Sequence, residues 1–231
     1  MKKTAFVLGF LLFATVSAEA DQRDYVWTYQ YLTLPKGGTE VEYYFTQRTK
    51  DASQPGKTDY EHQLEFEYGV TDRWDVALYQ VFGKKDRESL DYSGYKLRTR
   101  YRFGERGQYP VDPLLYLEYK AKVDKKDAVE GKLVIAKDIG KFNMAYNQIM
   151  DLGLGRGGEV EHEYAAGISY QLHHALRIGV EGTGSYTGRE HAVGPTVSWV
   201  AGRFWTSLGA AFGLNRRTDD RQVRFIVGVP F

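Results

Sequence analysis

Apolar and polar residues alternate along most of this chain, and the alternation is clearest in its last nine residues. Five apolar residues there share one parity: Val223, Phe225, Val227, Val229 and Phe231. The other parity holds smaller or more polar residues: Arg224, Ile226, Gly228 and Pro230. Because successive side chains of a β-strand point to opposite faces, the pattern predicts a strand with one apolar face. Such a strand fits the edge of a soluble sandwich as well as the wall of a barrel.

The same alternation recurs through residues 39–231, in segments of strand length separated by turn-forming tracts. The sharpest segment has a mainly apolar parity and a basic one: Tyr95, Leu97, Thr99, Tyr101 and Phe103 against Lys96, Arg98, Arg100 and Arg102. No amphipathic helical pattern separates the segments. Twelve strands are therefore predicted between Thr39 and Phe231, and the weaker alternation of Tyr25–Leu34 is left over as a thirteenth extended segment.

The connections between these segments alternate in length. Short ones are predicted at 35–38, 71–73, 104–112, 140–141, 173–174 and 202–203, and longer polar ones at 50–58, 84–93, 124–127, 153–160, 187–191 and 215–221. The connections at 104–112 and 124–127 fit this alternation poorly. Bacterial barrels have an even strand count, short periplasmic turns and longer outer loops. With twelve strands in the barrel, Tyr25–Leu34 could lie in the lumen, run beside the first strand, or pair at the closure.

The N-terminus has the features of a secretory signal peptide. Lys2 and Lys3 precede an apolar run over 5–14 that is too short to span a bilayer, and Ala18-Glu19-Ala20 offers a cleavage site. We predict a signal peptide at 1–20, an N-terminal extended segment at 21–38 that plugs the lumen or adds a strand, and a barrel at 39–231.

Composition narrows the class of protein further. Removal of the signal peptide takes two of 31 basic and one of 30 acidic residues, which leaves 29 of each. This balance gives no argument for nucleic-acid binding. The mean hydropathy of −0.48 is too polar for a helical membrane protein, yet 15% of residues are aromatic and none is cysteine. A barrel reconciles these values, because its lumen can be polar while its outer face meets lipid.

The side chains on the polar face of each predicted strand decide between a sandwich and a barrel. A sandwich could bury the apolar faces in a core, but the opposite faces carry charges that look complementary from strand to strand. Inside a closed barrel such charges can pair across the lumen. The charged residues predicted to line it, as a selectivity filter or a salt-bridge network, are Glu40, Glu42, Glu65, Glu67, Lys96, Arg98, Arg100, Arg102, Glu118, Lys120, Lys122, Arg177 and Glu181. The sequence thus favours an all-β, transmembrane antiparallel barrel.

Two resemblances support this architecture. The aromatic ending Val223–Phe231 resembles the C-terminal strand of bacterial outer-membrane barrels, which implies recognition by the barrel-assembly machinery. The stretches 34–42, 67–76 and 137–140 resemble a pattern of Pro-x-Gly followed by Gly-x-Thr-Asp-Arg in proteobacterial outer-membrane barrels. That group includes transporters assigned to the MetA-pathway of phenol degradation family. The resemblance implies an outer-membrane location, with membrane lipid as a partner.

Candidate catalytic chemistry is sparse in this sequence. The five histidines, at 62, 162, 173, 174 and 191, form no pair with metal-ligand spacing, so we predict no metal and no cofactor. Outer-membrane phospholipase A is also a twelve-stranded barrel, but the motif with its His and Ser does not occur here. Gly153–Gly158 is Gly-rich without the strand-to-helix context of a phosphate loop. An enzyme is therefore not expected.

Two functions remain. The first is a channel or transporter for small solutes, in which the basic column of Lys96, Arg98, Arg100, Arg102, Lys120 and Lys122 would favour anions if it were unpaired. The acidic columns could neutralise that preference. The second is a non-conducting structural or interaction barrel, closed by a salt-bridged lumen and by Tyr25–Leu34.

Overall fold

The computed structural model describes residues 22–54, 58–84, 88–123 and 125–231, so the predicted signal peptide lies outside the described residues. Twelve strands are present in this part of the chain: β1 (Thr39–Thr49), β2 (Thr58–Thr71), β3 (Trp74–Lys84), β4 (Asp91–Arg102), β5 (Asp112–Lys122), β6 (Ala128–Ile139), β7 (Phe142–Gly153), β8 (Val160–His173), β9 (Leu176–Ser185), β10 (Glu190–Ala201), β11 (Phe204–Gly213) and β12 (Arg221–Pro230).

The strands form one closed antiparallel barrel. Each strand pairs with its neighbour in sequence, and β1 pairs with β12 to complete the ring, for example Val41 opposite Val229. Closure satisfies every strand edge, so the wall needs no covering element. The predicted fold class, an all-β barrel of twelve antiparallel strands, is confirmed.

The two faces of the wall have inverted polarity compared with a water-soluble protein. On β4 the outward Leu97 is 50% exposed, whereas the inward Arg98 and Arg100 are 3% and 2% exposed. On the last strand Arg224 and Ile226 point inward, while Phe225 and Val227 lie on the outer face, so the outer face is again apolar and the inner face is mixed. Charged side chains inside and apolar side chains outside are what a barrel in lipid requires.

The connections at the two ends of the barrel differ in length. One end, the long-loop end, carries the connections at 50–57, 85–90, 123–127, 154–159, 186–189 and 214–220. The other, the short-turn end, carries those at 72–73, 103–111, 140–141, 174–175 and 202–203, together with Phe231. The alternation predicted from sequence is present, with the connection at 103–111 as the exception.

The length of the 103–111 connection has a physical reason. The Tyr31 hydroxyl donates hydrogen bonds of 2.8 Å to the carbonyls of Phe103 and Gly104. Arg106 reaches the Tyr31 carbonyl at 3.1 Å and pairs with Asp138 at 2.5 Å. The connection therefore holds the chain that precedes β1, a role that a two-residue turn could not fill.

No helix among the described residues is long and apolar enough to cross a membrane.

Candidate functional site

We call residues 22–38 the N-terminal segment. Its part from Gln22 to Leu34 lies in the lumen, and the exposed residues Pro35, Lys36 and Gly37 lead to β1 at the short-turn end. Most of its side chains are buried, including Tyr25, Val26, Thr28, Tyr31 and Leu34. Of the three placements that the sequence left open, the structure has the one in the lumen. It contacts strands on opposite sides of the barrel, so it obstructs this part of the lumen.

A single carboxylate on the wall holds the middle of the N-terminal segment. Glu181 of β9 accepts hydrogen bonds from three successive backbone N–H groups, those of Val26, Trp27 and Thr28, at 2.7, 2.8 and 2.9 Å. Consecutive N–H groups that converge in this way form an anion-binding nest. Glu181 is itself 1% exposed, so these bonds are the compensation for burying its charge.

Strand β7, two strands away from β9, also holds the segment. The Asn147 amide accepts the N–H of Tyr29 at 2.6 Å and donates to the carbonyl of the same residue at 2.9 Å. This pair of hydrogen bonds resembles the pair that two residues exchange in an antiparallel β-ladder. Close by, the Tyr25 hydroxyl donates to the carbonyl of Asn143 at 2.8 Å. The segment thus replaces strand pairing with bonds to side chains of the wall.

Glycines in the wall make room for the segment. A Cβ atom on Gly167 of β8 would lie 2.6 Å from the Tyr25 ring, and one on Gly209 of β11 would lie 2.4 Å from Val26 Cγ2. Neither approach is compatible with a side chain at the glycine position. The wall is therefore shaped to the segment as well as bonded to it.

A buried charge network fills the lumen beside the segment. Arg98 lies 3.2 Å from Glu65, 2.7 Å from Glu67 and 3.5 Å from Asp75. Arg100 lies 2.9 Å from Glu67 and 2.7 Å from Asp75. All five side chains are nearly inaccessible to water. Glu42, Glu65 and Glu67 lie close enough to share a cation, but Arg98 already supplies positive charge among them.

A second network, less buried, lies nearer the long-loop end. Lys120 of β5 is 2.7 Å from Glu130 and 2.5 Å from Asp151, and Lys96 is 3.6 Å from Glu118. Lys122 lies beyond them at the rim, where it is exposed. The basic column predicted from sequence is thus largely paired.

The other predicted lumen residues contact the N-terminal segment or its neighbours. Arg177 lies 3.2 Å from Asp24, and Arg102 donates to Thr33 at 2.7 Å. Glu42 accepts a hydrogen bond from Tyr44 and lies 3.9 Å from Arg23 of the segment. Glu40 accepts one from the Trp205 indole. Every one of these charges therefore has a partner in the interior of the barrel.

Sequence reasoning missed several interior residues. Asp75, Asn147 and Arg224 all point inward, although none belongs to a run of like charges. Their parity within the strand was the available signal. Arg23 was missed because nothing in the sequence places the N-terminal segment beside Tyr44 and Glu42.

Between the N-terminal segment and the long-loop end the lumen widens into a cavity of about 780 Å³, which we call the basin. Its rim residues, including Lys84, Asp91 and Lys122, lie at the long-loop end. Its floor includes Trp27 and Tyr29 of the segment. The interior thus consists of a charged basin toward the long-loop end and a lower half, toward the short-turn end, that the N-terminal segment obstructs.

A closed antiparallel barrel with an apolar outside and a charged inside has the fold of bacterial outer-membrane barrels. No family model matches the chain, and neither does any curated protein. Among solved structures, an outer membrane channel from Pseudomonas putida F1 is 12% identical, with a TM-score of 0.64 over 90% of this chain and 100% of that one.

Two porins have the same architecture. The KdgM porin, solved with disordered oligogalacturonate, is 10% identical, with a TM-score of 0.59 over 83% of this chain and 98% of its own. The NanC porin is 11% identical, with a TM-score of 0.56 over 84% and 98%. At these identities the likeness shows a shared fold.

Proposed function

We propose that this protein is a channel of the bacterial outer membrane for small solutes, anionic ones among them, and that its N-terminal segment closes it at rest. The carrying observation is that the segment obstructs the lower half of the lumen below a basin with a rim at the long-loop end. It is held by hydrogen bonds, ion pairs and packing, all of which can be broken and re-formed. The fold shared with porins supports a channel.

The location follows from the polarity of the wall. We propose that lipid surrounds the outer face and that the short-turn end faces the periplasm, as in other bacterial barrels. The barrel-assembly machinery would then recognise the final strand, in keeping with its aromatic end at Phe231. The narrower kinship with the MetA-pathway of phenol degradation family stays a hypothesis. We propose no catalytic role and no nucleic-acid partner.

A second candidate function is a non-conducting structural barrel. The buried network around Arg98 and Arg100 favours it, because so many paired charges make one side of the lumen a packed interior. The two functions differ in one respect. In a channel the N-terminal segment can leave its seat while the barrel stays folded, whereas in a structural barrel the two are inseparable.

The variant Glu181→Gln separates these functions. It keeps the shape of the side chain but places an NH₂ group against backbone N–H donors, so the hold on Val26–Thr28 weakens. In planar lipid bilayers we expect openings at least about tenfold more frequent than in the unmodified chain, since hydrogen bonds to a charged group contribute about 1.5–3 kcal/mol each.

The matched control is Glu163→Gln. Glu163 lines the basin from β8 and has no hydrogen bond to the N-terminal segment among the described residues. This variant should behave like the unmodified chain. If Glu181→Gln stays silent while its gel mobility before heating shows a folded barrel, the closed structural barrel is the better account.

A further inference from the structure

Arg224 of β12 reaches the floor of the basin with part of its guanidinium uncommitted. Its Nε donates to Thr46 Oγ1 at 2.9 Å, and its Nη1 donates to the carbonyl of Val26 at 3.2 Å. Nη2 has no hydrogen-bond partner among the described residues. Since the guanidinium has five N–H donors in a fixed fork, an edge of this one remains available to a group in the basin.

The neighbouring acidic residues are paired with other cations. Glu61 lies 3.6 Å from Arg48, and Glu42 lies 3.9 Å from Arg23. Within the described chain, Arg224 itself forms no salt bridge. A partly buried cation without a carboxylate is unfavourable, and an anion in the basin would relieve this cost.

An aromatic surface lies next to this cation. The guanidinium carbon of Arg224 is 5.8 Å from the centre of the Trp27 ring, and Trp27 also lines the basin floor. An acid bound to Arg224 could therefore pack its carbon skeleton against the indole while its carboxylate meets the guanidinium. The basin, at about 780 Å³, has room for a molecule of one or two rings.

We propose that the basin floor is a binding site for the carboxylate of a small organic acid, with Arg224 as the anion-binding group and Trp27 as the packing surface. This inference rests on the proposed function, because it makes the basin the entry site of the solute. It places anion recognition on a residue of β12 and not on the basic column of β4 and β5, which is largely paired.

The site is coupled to the closure of the lumen. The same guanidinium donates to the carbonyl of Val26, which lies beside the nest around Glu181. A carboxylate that draws Arg224 toward the basin competes with this bond. Solute binding would then weaken one of the contacts that hold the N-terminal segment.

Isothermal titration calorimetry on the full mature chain in detergent tests the site. Benzoate and glucuronate are the acidic probes, and benzamide and glucose are their neutral counterparts. We expect at least one acid to bind and its neutral counterpart to bind at least about tenfold more weakly, as for loss of a charge-assisted hydrogen bond. Arg224→Gln should lower the affinity for that acid by a similar factor.

Two further variants make the result specific. Arg224→Lys keeps the charge but not the fork, so it should recover only part of the affinity. Arg216→Gln removes an exposed arginine from the connection at 214–220 and should leave binding unchanged. Equal affinity of Arg224→Gln and the unmodified chain for the acids, or no acid binding at all, would overturn the site.

The calorimetry is independent of conduction. Acid binding that needs Arg224 in a barrel that never conducts would refute the channel and leave the site standing. Conduction without acid binding would refute the site and leave the channel standing.

Discussion

Deletion of residues 22–34 is expected to turn a barrel that is mostly closed into one that conducts steadily. The deletion removes the side chains that obstruct the lower lumen, among them Tyr25 and Tyr31. It keeps Pro35–Gly38, whose backbone bonds to Gly69 anchor the start of β1. The ring of twelve paired strands does not include the deleted residues, so the barrel should still close.

Single-channel recording in planar bilayers measures this effect. We expect stable open levels in the deleted chain, compared with rare openings of the unmodified chain. A synthetic peptide of residues 22–34 should restore block when it is added on the side of the short-turn end and not when it is added on the other side. A deleted chain that is folded and still silent would refute the channel.

The second large effect is expected for Arg98→Leu. Arg98 is 3% exposed and lies within 3.5 Å of Glu65, Glu67 and Asp75. Its removal leaves buried carboxylates with only Arg100 to balance them. Loss of one partner from a buried ion pair costs about 3–5 kcal/mol, because the remaining charge is uncompensated.

Urea unfolding in lipid vesicles, followed by tryptophan fluorescence, gives the free energy of unfolding for this comparison. The control is Arg216→Leu, the same change at an exposed position, which should shift this free energy by less than about 0.5 kcal/mol. Adding Glu65→Gln to Arg98→Leu should recover part of the loss, since it removes one of the unpaired charges. Equal stability of Arg98→Leu and its control would show that the network does not stabilise the barrel.

The wall of the barrel could be predicted from sequence because each strand carries its own information. The period of two along β4 separates Leu97 from Arg98 without reference to any other strand, and it fixes which face meets the lumen. The even strand number and the alternating connections then indicate closure.

Contacts between strands that are not neighbours could not be predicted, because they depend on the register of the strand between them. Glu65 and Arg98 lie on β2 and β4, and their side chains come within 3.2 Å over β3, where Arg98 lies opposite the small Ala77. The pairing of Arg98 therefore became visible only in the structure.

The alternation within the N-terminal segment does not reflect strand pairing, for a related reason. Tyr25, Trp27, Tyr29 and Tyr31 share one parity, which is typical of a strand. In the structure this segment has no strand partner, because its N–H groups bond to the side chains of Glu181 and Asn147. A parity pattern reports alternation but does not tell which group accepts the backbone hydrogen bonds.

A cysteine cross-link tests most directly whether the N-terminal segment lies in the lumen of the folded barrel. The chain has no cysteine, and a Cβ atom at position 209 would lie 2.4 Å from Val26 Cγ2. In the double variant Val26→Cys with Gly209→Cys the substitution at position 26 removes this Cγ2 atom and leaves a sulfur beside the new Cβ, which is the close approach that a disulfide requires.

In lipid vesicles under mild oxidation, mass spectrometry should find this disulfide in the folded barrel. The control pair, Val26→Cys with Asn215→Cys in an exposed loop, should stay reduced. A folded barrel in which positions 26 and 209 remain unlinked would contradict the closed lumen and the gating that follows from it.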